Sequence, residues 1–224
     1  MPGGPRRRAT AVLISGRGSN LQALIDAAAA PDYPAEIVLV LSNRPEAKGL
    51  ARAEAAGLPT RVIPHHAHAT RPAFEAALTE ALTEAGAELV CLAGFMRVLT
   101  ETFVTRWQGR LVNIHPSLLP AFPGLDTHAR ALAAGVKLHG CTVHQVSAEV
   151  DQGPIIGQAA VPVLPGDDEP ALAARVLEAE HRLYPLCLRL LAEDRIRVEG
   201  GRAVIQDPPE AGTLIMNPDQ ERPG

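Results

Sequence analysis

The sequence is poor in aromatic residues and in cysteine. Phe, Trp and Tyr together make up 3% of the 224 residues, so a core has to be built from Ala, Val, Leu and Ile. The three cysteines, Cys91, Cys141 and Cys187, lie far apart and include no C-x-x-C pair. This spacing favours buried thiols in a reducing compartment and argues against a disulfide framework.

Strong net charge and long apolar runs are also absent. The formal net charge is −4, which argues against broad nucleic-acid binding. No apolar stretch approaches the ~20 residues that cross a bilayer. The basic N-terminus is followed by AVLIS, but this run is too short for a signal peptide and is better interpreted as a strand. We therefore expect a cytoplasmic protein without nucleic-acid or membrane partners.

Short β-branched runs alternate with Ala- and Leu-rich helical stretches in the first half of the chain. Near-continuous apolar strands separated by helices predict a parallel sheet covered on both faces. Strands follow one another without a helix over 139–163, and 169–195 is predicted as a long final helix. The predicted fold is α/β, with a Rossmann-like, mostly parallel sheet and an antiparallel C-terminal portion. We expect one domain over 9–205, between a disordered tail at 1–8 and a loose tail at 206–224.

The glycine-rich stretch Gly16-Arg17-Gly18-Ser19-Asn20-Leu21 lies between a predicted strand and a predicted helix. Free backbone N–H groups and the helix dipole suit an anion at such a turn. It is not a dinucleotide fingerprint, because Leu21 replaces the third glycine, and no Gly-Lys-Ser/Thr follows as in a P-loop. We prefer one phosphate held by the N–H groups of Gly18, Ser19 and Asn20. The alternative is a tight turn in which Ser19 or Asn20 caps the helix.

The stretch RLVNIHP carries an amide and an imidazole at the end of an apolar run. In a strand, Asn113 and His115 point to the same side, and Pro116 ends the ladder. Ligands of open α/β sheets bind outside the carboxyl ends of the strands. The two side chains could therefore hydrogen-bond one developing oxyanion. Alternatively, Asn113 caps a turn and His115 is a structural histidine.

A carboxylate follows in the segment 147–154. Asp151 lies just before the Gly153-Pro154 bend and is preferred over Glu149 as a partner that orients a histidine and favours its charged form. By itself the segment is also compatible with an ordinary polar turn. The histidines at 65–68 have no fourth ligand at usable spacing, so we expect no metal. Gly-x-Ser-x-Gly is absent and no cysteine has an evident histidine partner, so a Ser or Cys nucleophile has little support.

Together these motifs resemble the folate-dependent formyltransferase family over roughly residues 10–200. The core Asn-x-His-Pro-Ser-Leu-Leu-Pro with a later Asp-x-Gly is shared by the family, and the Gly-Ser-Asn-Leu loop with Pro-Gly-Leu-x-Thr-His points to its glycinamide branch. The matching segments are VLISGRGSNLQALID, LSNRPEAKGLARAEAAGLPT, LAGFMRVLTETFV, GRLVNIHPSLLPAFPGLDTH, GCTVHQVSAEVDQGPII and ARVLEAEHRLYP.

The resemblance implies transfer of the formyl group of 10-formyltetrahydrofolate to the amine of 5'-phosphoribosylglycinamide (GAR), giving formyl-GAR in de novo purine biosynthesis. The amine would attack directly, without a metal. Asn113 and His115 would stabilise the oxyanion, and Asp151 would keep His115 charged. The resemblance implies ribotide contacts at Gly18, Ser19, Asn20 and Glu180, and folate contacts at Arg71, Met96, Arg97, Val98, Leu99, Asn113 and Val150. Position 17 departs from the family pattern, because Arg17 stands where better-known relatives have a small or neutral polar residue.

Two other functions remain open from the sequence. A 10-formyltetrahydrofolate hydrolase would use water in place of the amine, and a non-catalytic nucleotide-binding module would bind phosphate ligands without turnover. Hydrolases of the family carry an extra N-terminal domain, and we expect none here. We expect a monomer or a homodimer.

Overall fold

The computed structural model describes residues 6–207. Its main sheet has seven strands in the order β3-β2-β1-β4-β5-β6-β7, and β8 and β9 form a separate hairpin. The strands are β1 (Arg8–Ile14), β2 (Ala35–Ser42), β3 (Thr60–Val62), β4 (Leu89–Leu92), β5 (Leu111–His115), β6 (Leu138–Gln145), β7 (Ile155–Pro162), β8 (Ile196–Glu199) and β9 (Arg202–Ile205). The helices are α1 (Ser19–Ala28), α2 (Gly49–Ala55), α3 (Arg71–Glu84), α4 (Glu101–Arg106), α5 (Thr127–Ala133) and α6 (Glu169–Ala192).

The sheet changes direction at β5. Strands β1 to β5 pair in parallel, whereas β6 is antiparallel to both β5 and β7. The predicted fold, a mostly parallel sheet with an antiparallel C-terminal portion, is confirmed. The β6–β7 pair is antiparallel because these strands are joined by a short loop that cannot make a parallel crossover.

Apolar side chains from alternate positions of the strands fill two cores, one on each face of the sheet. On one face Ile14 and Val112 pack with Tyr184 of α6. On the other face Leu13 and Leu92 pack with side chains of α3 and α4. The predicted covering of both faces is therefore confirmed, and it explains why the parallel strands are apolar at nearly every position.

Three helices begin with a side-chain cap, and α1 does not. Thr70, Thr100 and Asp168 accept backbone N–H hydrogen bonds at the starts of α3, α4 and α6. The N-cap of α1 is Gly18, which has no side chain to accept such a bond. The first turn of α1 therefore has backbone donors left for a ligand, and the starts of α2 and α5 likewise lack a side-chain cap.

The boundaries differ slightly from the predicted ones. β1 begins at Arg8, one residue before the predicted start of the domain, and α6 ends at Ala192, three residues before the predicted end of the last helix. Residues 1–5 and 208–224, which make up most of the two predicted tails, lie outside the described residues. Within residues 6–207 no helix has the length and apolar character needed to cross a membrane.

Candidate active site

The carboxyl ends of the central strands β1, β4 and β5 lie side by side, and this row of strand ends is called the carboxyl edge of the sheet below. After β1 the chain moves to β2 on one side, and β4 lies on the other side, so the strand order reverses between β1 and β4. Open α/β sheets bind ligands at this kind of reversal. The segments 15–20, 93–100 and 115–124 leave the sheet here.

The segment 16–20, called the anion loop below, turns tightly into α1. Gly18 has φ 72° and ψ 29°, a left-handed conformation that glycine adopts without strain. A Cβ atom on Gly18 would lie 2.5 Å from Cα of Gly49, so the loop is packed directly against the start of α2. No side chain caps α1, and the alternative that Ser19 or Asn20 caps it is therefore wrong.

Asn20 instead contacts Glu180 of α6. Its Nδ2 donates to Oε2 of Glu180 at 2.7 Å, and its buried Oδ1 has no hydrogen-bond partner within the described part of the chain. Burial raises the pKa of Glu180, while the Asn20 hydrogen bond and the charge of Arg17 lower it. The structure thus brings Glu180 next to the consecutive residues Gly18, Ser19 and Asn20, from which it is far apart in sequence.

Asn113 and His115 point to the same side of β5, as the strand alternation predicts. Asn113 pairs across the sheet with His144 of β6, and His115 pairs with Thr142. Ile114 points the opposite way into the core. The two polar side chains are therefore held by a strand that is anchored from its other face.

The two ring nitrogens of His115 both face acceptors. Nδ1 lies 3.5 Å from Oδ2 of Asp151, and Nε2 lies 3.0 Å from the carbonyl oxygen of Phe122. A neutral imidazole has one N–H, whereas the charged ring has two. Only the charged ring could donate to both acceptors at once.

Asp151 reaches His115 because of the sharp turn between β6 and β7. Its backbone is left-handed, with φ 56°, and its Oδ2 accepts a hydrogen bond from the Gly124 N–H at 2.8 Å. A Cβ on Gly153 would lie 1.7 Å from the carbonyl oxygen of Gln145, so this turn requires glycine. The structure thus brings together Asn113, His115 and Asp151.

His144 is a member of the site that the sequence analysis missed. Burial lowers its pKa, and its Nδ1 lies 2.9 Å from the carbonyl oxygen of Gln145, so we assign a neutral ring with the proton on Nδ1. Its Nε2 can then accept a hydrogen bond from Nδ2 of Asn113 at 3.3 Å. This contact fixes the orientation of the Asn113 amide, so that the second hydrogen of Nδ2 points into the candidate site.

The segment 96–99 follows β4 without regular secondary structure. Met96, Arg97 and Val98 are exposed, and Leu99 is buried. Val150 is exposed on the loop that carries Asp151, and Arg71 is exposed at the first position of α3. Apart from Leu99, the predicted folate contacts of these segments present apolar and cationic side chains to solvent.

The cysteines and histidines of the described residues form no metal centre. The three cysteines are free and buried, which confirms the prediction of buried thiols. Burial raises the pKa of each thiol to about 12, so none is a ready nucleophile. Within residues 6–207 no group of three or more His, Cys, Asp or Glu side chains is placed to hold a metal ion.

An open α/β sheet with an uncapped anion loop and an amide–imidazole–carboxylate group at the carboxyl ends of its strands has the parts of a group-transfer site. Residues 8–188 match the family profile described as Formyl transferase. The chain belongs to this formyl transferase family.

Individual relatives are similar over most of the chain. The phosphoribosylglycinamide formyltransferase of Escherichia coli (strain K12) is 45% identical over 192 residues, which cover 86% of this chain and 91% of that protein. The trifunctional purine biosynthetic protein adenosine-3 of Bos taurus is 51% identical over 88% of this chain, which spans 20% of that longer protein. The solved glycinamide ribonucleotide transformylase 1 of Symbiobacterium toebii superposes with a TM-score of 0.89 at 48% identity, covering 92% of this chain and 98% of that one.

Proposed function

We propose that this protein transfers the formyl group of 10-formyltetrahydrofolate to the amine of GAR, giving formyl-GAR in de novo purine biosynthesis. The observation that carries the proposal is the convergence of Asn113, His115 and Asp151 at the carboxyl edge of the sheet, which also holds the anion loop. The relatives that match most of the chain carry names of glycinamide ribotide formyl transfer. The alternatives of folate hydrolysis and of a non-catalytic module are not favoured.

The ribotide would bind between the anion loop and α6. Its phosphate would accept hydrogen bonds from the N–H groups of Gly18, Ser19 and Asn20, where the helix dipole favours negative charge. Glu180 and the unpartnered Oδ1 of Asn20 would accept hydrogen bonds from the ribose hydroxyls. The amine end of GAR would then point toward β5.

The formyl donor would bind against the segment 96–99 and the loop of Val150. Met96, Val98 and Val150 supply exposed apolar surface for an aromatic ring system. Arg71 and Arg97 are exposed cations suited to the carboxylates of a folate tail. The two substrates would then meet at Asn113 and His115.

The reaction is direct attack of the GAR nitrogen on the formyl carbon. The new C–N bond converts the formyl carbonyl into a tetrahedral oxyanion, to which Nδ2 of Asn113 and the charged His115 ring donate hydrogen bonds. Collapse breaks the bond from the formyl carbon to the folate nitrogen. The proton lost by the attacking amine passes to the leaving nitrogen through water, and Asp151 helps to relay it. The Asp151 carboxylate also holds His115 in its charged form. The surroundings of the Asp151–His115 pair support these roles, because each side chain has a second partner. His115 also contacts the carbonyl oxygen of Phe122, and Asp151 also accepts a hydrogen bond from the N–H of Gly124.

A steady-state assay that follows deformylated folate with and without GAR tests the proposal. We expect release that depends on GAR and is matched mole for mole by formyl-GAR. Release that is equal without GAR would favour the hydrolase. No release, with retained binding of GAR, would favour the non-catalytic module.

A further inference from the structure

We propose that Ser15 and Asn43 are positioning residues for the formyl donor, because their side chains hold the backbone of the segment 96–99 in place. The inference rests on the proposed function for the identity of the donor. Neither residue is expected to touch substrate. Both would act through Met96, the first residue of that segment.

A buried hydrogen-bond chain runs from Met96 to the end of β2. The N–H of Met96 donates to Oγ of Ser15 at 2.8 Å, and this hydroxyl donates in turn to Oδ1 of Asn43 at 2.6 Å. Ser15 is 6% exposed and Asn43 is 1% exposed, so water does not compete for these bonds. A hydroxyl both accepts and donates here, which neither an alanine nor a backbone group could do.

The chain continues beyond Asn43 to the surface. Nδ2 of Asn43 lies 3.1 Å from Nδ1 of His65, whose ring packs edge-on against Phe74 of α3 at a centroid distance of 6.4 Å. The amide of Asn43 therefore has one fixed orientation, with its oxygen toward Ser15. The segment that follows β4 is tied through this chain to the ends of β1 and β2.

A second anchor holds the other end of the same segment. The N–H of Thr100 donates to Oε1 of the buried Glu75 at 2.7 Å, and the hydroxyl of Thr100 donates to Oε2. Between the anchors at Met96 and Thr100 the backbone has no regular hydrogen-bond ladder. The segment therefore owes its shape to these side-chain bonds, and its exposed side chains face outward from a fixed backbone.

Ser15 also connects the proposed binding regions of the two substrates. The N–H of Ser15 donates to the carbonyl oxygen of Gly94 at 3.2 Å, and Ser15 directly precedes the anion loop. Loss of the hydroxyl removes only the side-chain bonds and leaves this backbone bond in place. We therefore expect the effect to fall on the formyl donor and to leave the ribotide unaffected.

The test is steady-state kinetics of Ser15→Ala with both substrates varied. We expect the KM for 10-formyltetrahydrofolate to rise about three- to tenfold, the range set by the loss of one or two buried hydrogen bonds. The KM for GAR and the kcat should stay within about twofold. Ser15→Thr, which keeps the hydroxyl, should restore the KM for the formyl donor.

Ser42→Ala is the matched control. Ser42 is fully buried beside Asn43, and its hydroxyl bonds only to the backbone of Arg44, so the variant loses a buried hydroxyl without touching the chain to Met96. We expect its KM values to equal those of the wild type. If Ser15→Ala fails to fold, Ser15→Cys keeps the volume and weakens the bonds, and the same KM comparison applies.

An unchanged KM for the formyl donor in the folded Ser15 variants, or an equal rise in Ser42→Ala, would overturn the inference. A rise confined to the KM for GAR would overturn it as well. Failure of the proposed function is seen separately, as absence of GAR-dependent turnover in the wild type. In that case calorimetric titration of wild type and Ser15→Ala with tetrahydrofolate decides the inference, and equal affinities contradict it.

Discussion

At the scale of single residues, the contact between Asn113 and His144 fixes the orientation of the Asn113 amide. Without the lone pair on Nε2 of His144, the amide could turn its oxygen toward the developing oxyanion and repel it. We expect His144→Ala to lower kcat on the order of tenfold, whereas His144→Gln, which keeps an acceptor, should lose less. Equal losses of kcat in the two variants, at equal thermal stability, would mean that the amide is oriented by something else.

His144 also shows where residue-level prediction from the sequence stops. Asn113 and His115 could be found because strand alternation puts them on one side, and Asp151 because it precedes a Gly-Pro bend. His144 reaches Asn113 only through the register of the antiparallel β5–β6 pair, and a shift of one residue would point it away. That register is set by packing along the whole sheet. No local sequence pattern records it.

At the scale of elements, the packing of the anion loop on α2 requires glycine at position 18. Gly18→Ala combines left-handed strain with a collision against Gly49, so the N–H groups proposed to hold phosphate must move. We expect the KM for GAR to rise at least about tenfold, the cost of losing one hydrogen bond to a charged group. The KM for the formyl donor should change little.

Gly57→Ala separates the collision from the strain. Gly57 has φ +68°, close to the +72° of Gly18, but a Cβ there would meet nothing within 4 Å. This variant should lose about 1–2 kcal/mol of stability and keep the wild-type KM for GAR. A KM for GAR that rises equally in both variants would show that the loop is not a specific phosphate site.

The turn between β6 and β7 places Asp151, and Gly153 allows that turn. Gly153→Ala should displace the loop and lower kcat by up to about 100-fold, as expected when a catalytic group shifts by about an ångström. Gly140→Ala creates a similar collision, 1.9 Å from the carbonyl oxygen of Ala159, but within the paired strands. It should reduce stability while kcat per folded molecule stays nearer the wild type. A larger fall in kcat for Gly140→Ala would contradict the assignment.

Most strands and helices were predictable from the sequence, but α4, α5 and the β8–β9 hairpin were not. Apolar strands and amphipathic helices such as α3 repeat over enough residues to reveal their period. α4 and α5 have six and seven residues, and the hairpin of β8 and β9 has four-residue strands, so each is too short for a period to appear. The anchors at Ser15 and Glu75 are contacts between distant elements and have no local signature.

At the scale of the whole molecule, buried histidines make stability depend on pH. Burial, with the neighbouring charges of His128 and His115, lowers the pKa of His139 from 6.5 to about 4, and burial lowers that of His144. Because the unfolded chain then binds more protons than the folded one, the free energy of unfolding should fall as pH drops from about 6.5 toward 4. The slope is at most ~1.4 kcal/mol per pH unit for each such histidine.

Denaturant unfolding of wild type and His139→Gln over this pH range tests the linkage. Glutamine keeps a polar side chain beside His128 but does not titrate. As the pH drops from about 6.5 toward 4, the free energy of unfolding should fall less steeply in the variant than in the wild type. Identical slopes for the two proteins would contradict the lowered pKa of His139.

The most direct test of the proposed chemistry is the kcat of formyl transfer from 10-formyltetrahydrofolate to GAR by His115→Ala, compared with the wild type at equal thermal stability. His115 is placed by β5 and faces Asp151, and in the proposed mechanism it would donate a hydrogen bond to the oxyanion. We expect kcat to fall by ~10²–10³, the cost of removing one such donor. A folded His115→Ala protein with near-normal kcat would contradict the assignment of this site.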